Sequence, residues 1–404
     1  MKLMKLTAAA TLVAACSSFT TLGIAASDAD TDIRTKAEAL AQSSLIIDTH
    51  IDVPYRLNDG FVDVSKATDG GDFDYPRAIA GGLNAPFMSI YTPAALNAAD
   101  AKVHADKMIA IVEKIVEVGD GRFVIAKTPD EVDAAFEKGQ IALPLGMENG
   151  SPIGTDLALL DEYFDRGIRY ITLAHSLPNA VADSSYSVDR RNGGLSDFGR
   201  TVVKRMNELG IMVDISHVSD DAFYDVMEVT DVPAIASHSS ARVFTPGFER
   251  NINDKMIKVL AAKGGIVMIN YGSAFLTEDA NQWRARREKG VAKMAAEQGL
   301  TLTDDVRQKL TDDYMAANPY PFATLDDVLD HIDHVVKLAG IDAVGIGSDY
   351  DGVGDSLPIG LKDVSSYPNL IEGLMLRGYS EDDIKKVLGG NLMRVWRTVE
   401  AAAQ

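Results

Sequence analysis

Eight apolar runs of strand length, separated by segments of helical pattern, set the tightest limit on how this chain can fold. The runs are residues 45–49, 85–91, 141–147, 170–173, 212–215, 234–237, 266–270 and 343–347. Between them, residues 98–117, 156–165, 197–209, 220–229, 253–262 and 325–339 carry apolar positions at helical spacing. Such alternation is the mark of βα units and a parallel sheet. Thr128-Pro129-Asp130-Glu131 opens a further helix as a capping box, and Thr324-Leu325-Asp326-Asp327 caps the one that stops at Gly340. Eight such strands in single file predict an α/β fold of the (β/α)8 TIM-barrel type rather than an open sheet. No G-x-G-x-x-G or G-x-x-x-x-G-K-S/T follows a strand, which removes the nucleotide-binding sheets. Two excursions interrupt the rhythm. Residues 273–322, between strands seven and eight, are polar with helical stretches at 283–296 and 303–317, and read as an inserted lid or an interface; whether the protein is a homodimer stays open. Residues 61–82, just after the first strand, are rich in Asp and Gly.

The amino terminus reads as a targeting segment. Lys2 and Lys5 precede an apolar run, 6–15, that is too short to span a bilayer and is followed by small and polar residues. Residues 1–26 are therefore set aside as an export signal, with 31–404 as one barrel domain in a periplasmic or secreted protein. The single Cys in the chain, Cys16, follows Val13-Ala14-Ala15 as in the lipobox of bacterial lipoproteins. Acylation there would anchor the protein to a membrane, whereas cleavage after Ala25 or Ala26 would discard Cys16. On either course the barrel has no thiol, so disulfides and Cys metal ligands are excluded. A formal net charge of −20 argues against nucleic acid as a partner.

In a barrel of this kind the chemistry sits at the carboxyl ends of the strands. Strand one ends in His50 and Asp52, strand three in Glu148, strand four in His175, strand five in His217, strand six in His238 and strand eight in Asp349. Alternation along an extended segment lets His50 and Asp52, two positions apart, aim an imidazole and a carboxylate at one point. Of the seven His, the other three (His104, His331 and His334) fall in predicted helices. His331 and His334 stand at i, i+3 and are expected on a solvated helix face. Any one strand-end His could be a satisfied core residue. Four at one edge with three carboxylates suit Zn2+, Mn2+ or Co2+ in a hydrolytic site. So many ligands exceed what one tetrahedral ion needs, which favours two ions sharing a carboxylate and holding a hydroxide as nucleophile.

The motifs that carry these residues resemble the renal (membrane) dipeptidase family of binuclear zinc peptidases, within the amidohydrolase-like barrels. They are Asp48-Thr49-His50-Ile51-Asp52-Val53-Pro54, Gly146-Met147-Glu148-Asn149-Gly150, Leu173-Ala174-His175-Ser176 and Asp214-Ile215-Ser216-His217. They continue through Ser237-His238-Ser239-Ser240-Ala241, Arg250-Asn251, residues 345–352 and residues 389–395. The resemblance implies a zinc-dependent exopeptidase acting on dipeptides, C-terminal D-residues among them. It implies that His50 and Asp52 bind the first zinc, that Glu148 bridges, and that His217 and His238 complete the second. Asp349 would shuttle the proton of the bridging water, His175 would hydrogen-bond the scissile carbonyl, and Arg250 would pair with the substrate carboxylate. Arg242 is a nearby rival for that last role. The first motif departs from the common family form in the Thr49 and Ile51 that flank His50.

Other readings stay open. Phosphotriesterase, lactonase or deacetylase barrels also bind two metals at strand ends, but usually begin with His-x-His and often bridge with a modified Lys. Here the pair is His-x-Asp and no Lys stands at these strand ends. An exported, non-catalytic binding lipoprotein would predict missing ligands, and every expected position is filled.

Overall fold

The computed structural model describes residues 28–403, so the predicted export signal and Cys16 lie outside the described residues. Eight parallel strands stand side by side in chain order: β1 Ile46–Ile51, β2 Leu83–Tyr91, β3 Leu145–Glu148, β4 Ile168–Thr172, β5 Met212–Asp214, β6 Ile235–Ala236, β7 Ile266–Ile269 and β8 Val344–Ile346. The two edges meet just past β8, where the Asp349 N–H donates to His50 O at 3.0 Å and the Asp52 N–H to Tyr350 O at 2.9 Å. A side chain completes the closure. Asp48 accepts from the Ser348 N–H at 3.0 Å and from the Tyr367 hydroxyl at 2.6 Å, supplying acceptors where the strand ladder has run out. The result is the expected (β/α)8 barrel.

The third predicted strand, 141–147, is two strands. Pro144 has no N–H for a ladder, and the chain divides around it. Ile141–Ala142 pairs with Phe123–Val124 in a separate two-stranded sheet, and only β3 enters the barrel.

The barrel interior is packed by Ile47, Phe87, Tyr170, Met212, Ile266 and Met268, joined by Leu392 and Trp396 of the last helix, Asn391–Ala402. Trp396 meets Phe87 with ring centroids 5.3 Å apart. This fills one end with apolar volume and leaves the polar residues to the carboxyl ends of the strands.

The connecting helices are Ala98–Val118, Ala158–Arg166, Asp197–Leu209, Asp220–Val229, Asp254–Ala262 and Leu325–Ala339. The helix expected from residue 156 starts at Ala158, because Asp156 bends back to accept from the Ala158 N–H. The insertion between β7 and β8 is a hairpin of Glu278–Glu297 and Asp304–Ala317 around a small core of Val291, Ala295 and Leu310. The excursion 61–82 holds a helix, Tyr75–Gly81, which its Asp and Gly content hides. It is tied to the loop after β8: the Asp72 N–H donates to Asp351 Oδ1 at 2.7 Å, and the Asp351 N–H to Asp72 Oδ2 at 2.8 Å.

His331 is not on a solvated face. It is buried, its Nδ1 accepts from the Ala241 N–H at 3.0 Å, and its Nε2 donates to Leu276 O at 2.9 Å. Two buried backbone groups needed partners, and one imidazole satisfies both. His334 is half-buried against Asp254, Nε2 to Oδ1 2.8 Å.

Candidate metal centre

The first two ligand candidates converge, though not by strand alternation. Asp48 faces Pro86 and Ile51 faces Met88, so β1 carries one residue more than β2 over this step. Such a bulge re-aims the side chains at it. Asp52 has already left the strand, at φ −91° and ψ 30°, as the residue before helix Val53–Arg56. Bulge and turn together bring His50 Nε2 to 3.4 Å from Asp52 Oδ2. Strained backbone recurs around this end of the barrel. Asn149, His217, Asp349 and Asp351 all hold positive φ, between 64° and 86°. Non-glycine residues adopt that region at a cost, and they cluster where a side chain must be aimed.

Glu148, the last residue of β3, is the centre of the constellation. Its Oε1 lies 3.0 Å from His217 Nε2, 3.3 Å from His238 Nε2 and 3.5 Å from His175 Nε2, while Oε2 lies 3.5 Å from His50 Nε2. Burial works against the Glu148 carboxylate, yet these imidazoles hold its proton affinity well below the ordinary range. Burial, with Arg250 adding to it, keeps His217 and His238 well below the usual imidazole range and hence neutral, the form that ligates metal. Burial, opposed by His50 and reinforced by Asp52 and Glu148, pushes Asp349 up to about 7.

The residues fit a metal on three counts. His50 Nε2 is fully buried with no hydrogen-bond partner, and so is Asp52 Oδ1. The Nε2 atoms of His217 and His238 face each other at 2.9 Å, an arrangement in which a shared cation can replace a proton. Three overlapping donor groups have their ligand atoms within 4.8 Å of one another: His50–Glu148–His238, Glu148–His175–His217 and His50–Asp52–Asp349. All seven strand-end residues expected from the sequence are thus in one place.

Several partners had no such signal. Tyr170 Oη lies 2.8 Å from His50 Nδ1, and reaches it because Gly146 on β3 has no side chain to run into the ring. Asn270 Nδ2 donates to Asp349 Oδ2 at 2.7 Å. Gly352 lies so close that a side chain there would meet both Asp349 Oδ1 and Asp52 Oδ2. Asp214 accepts from Ser237 and Thr172 behind His238. A carboxylate inside an apolar strand, as at Asp214, is the one hint of these that was legible.

The site opens into a cavity of about 530 Å³ whose wall includes Tyr55, Tyr91, His175, Tyr186, Phe275 and Asp349, and no lysine. The insertion contributes only its root, Ala274 and Phe275 of the short helix Ser273–Leu276, and nothing from its hairpin. Arg250 is buried beside this wall. Its Nη1 donates to Ser239 Oγ at 2.6 Å, its Nη2 to His238 O at 2.8 Å, its Nε has no partner, and Phe275 lies 5.2 Å from the guanidinium. No carboxylate pairs with it among the described residues. Arg242 is committed elsewhere: both Nη atoms are on Asp220, at 2.7 and 2.5 Å, and Nε is on Asn251 O.

Known proteins share this arrangement of strands. The chain is similar in structure to the probable dipeptidase PvdM from Pseudomonas aeruginosa, with a TM-score of 0.80 and 27% identity over 92% of this chain and 100% of that one. It is similar also to dipeptidase AC, a metallo peptidase, with a TM-score of 0.74 and 26% identity over 88% of this chain and 98% of that one. A metallo peptidase from Rhodobacter sphaeroides, liganded with a phosphinate mimic of the dipeptide L-Ala-D-Ala, matches with a TM-score of 0.73 and 25% identity, covering 88% and 99%. The family model for membrane dipeptidases, peptidase family M19, matches residues 34–404. Fold, converging ligands and near-complete family match agree: the chain belongs to the membrane dipeptidase family of metallopeptidases.

Proposed function

We propose that this protein is a two-metal exopeptidase for dipeptides with a free carboxyl terminus, those ending in a D-residue included. One observation carries the proposal: a carboxylate is ringed by four imidazoles, and on the backbone of one of them, His238, rests a buried guanidinium with no anionic partner among the described residues. His50 and Asp52 would hold one cation and His217 and His238 the other, with Glu148 shared. Bound there, two divalent cations, zinc by preference for nitrogen and oxygen donors with Mn2+ or Co2+ as substitutes, would supply Lewis-acid polarisation and water activation. The L-Ala-D-Ala mimic held by the Rhodobacter sphaeroides neighbour supports the tolerance for a D-residue.

The side chains divide the remaining work. Asp349, fixed by Asn270 on one oxygen, takes the proton of the attacking water and returns it to the departing amine. His175, on the cavity wall, donates to the scissile carbonyl oxygen as negative charge builds there. Arg250 receives the substrate carboxylate, the planar fork being the side chain best suited to it. The Lys2, Lys5 and 6–15 pattern supports export, with acylated Cys16 as the anchor if the protein is a lipoprotein. Among the described residues no helix is long and apolar enough to cross a membrane.

Arg250→Ala tests the substrate class. A charge-assisted contact of about 1.5–3 kcal/mol corresponds to roughly 10- to 150-fold. We expect that loss in kcat/KM on free dipeptides, carried mainly by KM, and little change on dipeptide amides. Equal losses on both would refute the carboxylate role and with it the exopeptidase specificity.

A further inference from the structure

Behind His238, a run of hydroxyl groups in the barrel wall ends on one carboxylate. Asp214, the last residue of β5, is fully buried. Its Oδ1 accepts from the N–H groups of Ser216 at 3.0 Å and Ser237 at 2.8 Å. Its Oδ2 accepts from the hydroxyls of Thr172 at 2.5 Å and Ser237 at 2.6 Å. Ser237 Oγ in turn lies 2.7 Å from His238 Nδ1.

Proton counting settles the directions. A carboxylate only accepts, and a serine hydroxyl has a single proton to give. Ser237 gives it to Asp214 and must therefore accept from His238 Nδ1–H. His238 is held as the Nδ1–H tautomer, with a bare Nε2 lone pair facing Glu148 Oε1 at 3.3 Å. A branch leaves the same strands. Ser216 Oγ accepts from the His238 N–H at 3.1 Å and from Ser239 Oγ at 3.2 Å, and Ser239 Oγ accepts from Arg250 Nη1 at 2.6 Å. His217 has nothing comparable, since its Nδ1 is buried without a partner.

We propose that Asp214 and Ser237 are positioning residues whose relay fixes the tautomer of His238 and so sets the affinity of one of the two cation positions. This rests on His238 being a ligand, as proposed above. Groups that orient a ligating imidazole typically govern 10- to 100-fold in metal affinity. A purely structural Asp214, there only to satisfy the N–H groups of Ser216 and Ser237 just past β5 and β6, would affect stability and leave metal affinity alone.

The test is a Zn2+ titration of metal-free protein against a chromophoric chelator, with thermal unfolding of each metal-free variant alongside. Ser237→Ala should bind one of two equivalents about 10- to 100-fold more weakly, and Ser237→Thr, which keeps the hydroxyl, should bind as wild type does. Asp214→Asn should lose at least as much, because an amide donating to Ser237 turns that hydroxyl onto Nδ1 and moves the ring proton to Nε2. If Asp214→Asn does not fold, the Ser237 pair decides the matter. Folded Ser237→Ala with wild-type affinity for both equivalents, while His238→Ala loses one, overturns the relay alone. His238→Ala that keeps both equivalents overturns the ligand assignment, and the relay with it.

Discussion

Asn in place of Asp349 will leave the metal content unchanged and lower kcat by about 100- to 10,000-fold, with KM little altered. The substitution is nearly isosteric, which matters in this place. Gly352 closes over Asp349 with no room for a larger group, and Asn270 donates to one carboxylate oxygen, a contact that an amide oxygen can keep. What the amide cannot do is accept a proton and pass it on. The expectation separates two roles that the geometry brings close together, because Asp349 also stands within ligand distance of His50 and Asp52. Metal analysis of the purified variant beside steady-state kinetics distinguishes them. Loss of a metal equivalent would make Asp349 a ligand, and full activity would remove it from the chemistry.

Glu148→Gln should have the broader effect, weakening both cation positions rather than one. Glu148 alone among the described residues is paired with all four of His50, His175, His217 and His238, each within 3.5 Å. Glu148 is also buried, so its charge is poorly screened. Gln keeps the shape but offers a neutral oxygen, and it places N–H donors against imidazoles whose lone pairs must stay free. Removing one charge from a buried set of partners costs about 3–5 kcal/mol, which is on the order of a hundredfold or more in affinity. The variant should emerge from purification with less than one equivalent of metal and no measurable dipeptide hydrolysis. Two retained equivalents would show that Glu148 is not the shared ligand.

The strand-end residues were legible because the barrel itself does the placing: once eight βα units are read, His50, Glu148, His175, His217, His238 and Asp349 must share one rim. Asp52 reached the same place by another route, a bulge and a turn, which no alternation rule contains. What lay out of reach was the support behind the ligands. Tyr170 meets His50 across 120 positions and Asp214 meets Thr172 across 42, so neither pair leaves a local pattern. The choice between Arg242 and Arg250 was closed to sequence for a similar reason. Both lie on one loop, and what distinguishes them is Asp220, on a different element, which engages both Nη atoms of Arg242. His331 was misplaced because its partners, Ala241 and Leu276, are backbone groups far along the chain.

Stoichiometric titration of the metal-free enzyme with Zn2+, following bound metal and hydrolysis of a free dipeptide in the same samples, tests the two-metal centre most directly. Two equivalents should bind, and hydrolysis should rise with the second. Full activity at one equivalent, or undiminished activity in excess chelator with no metal bound, would contradict it.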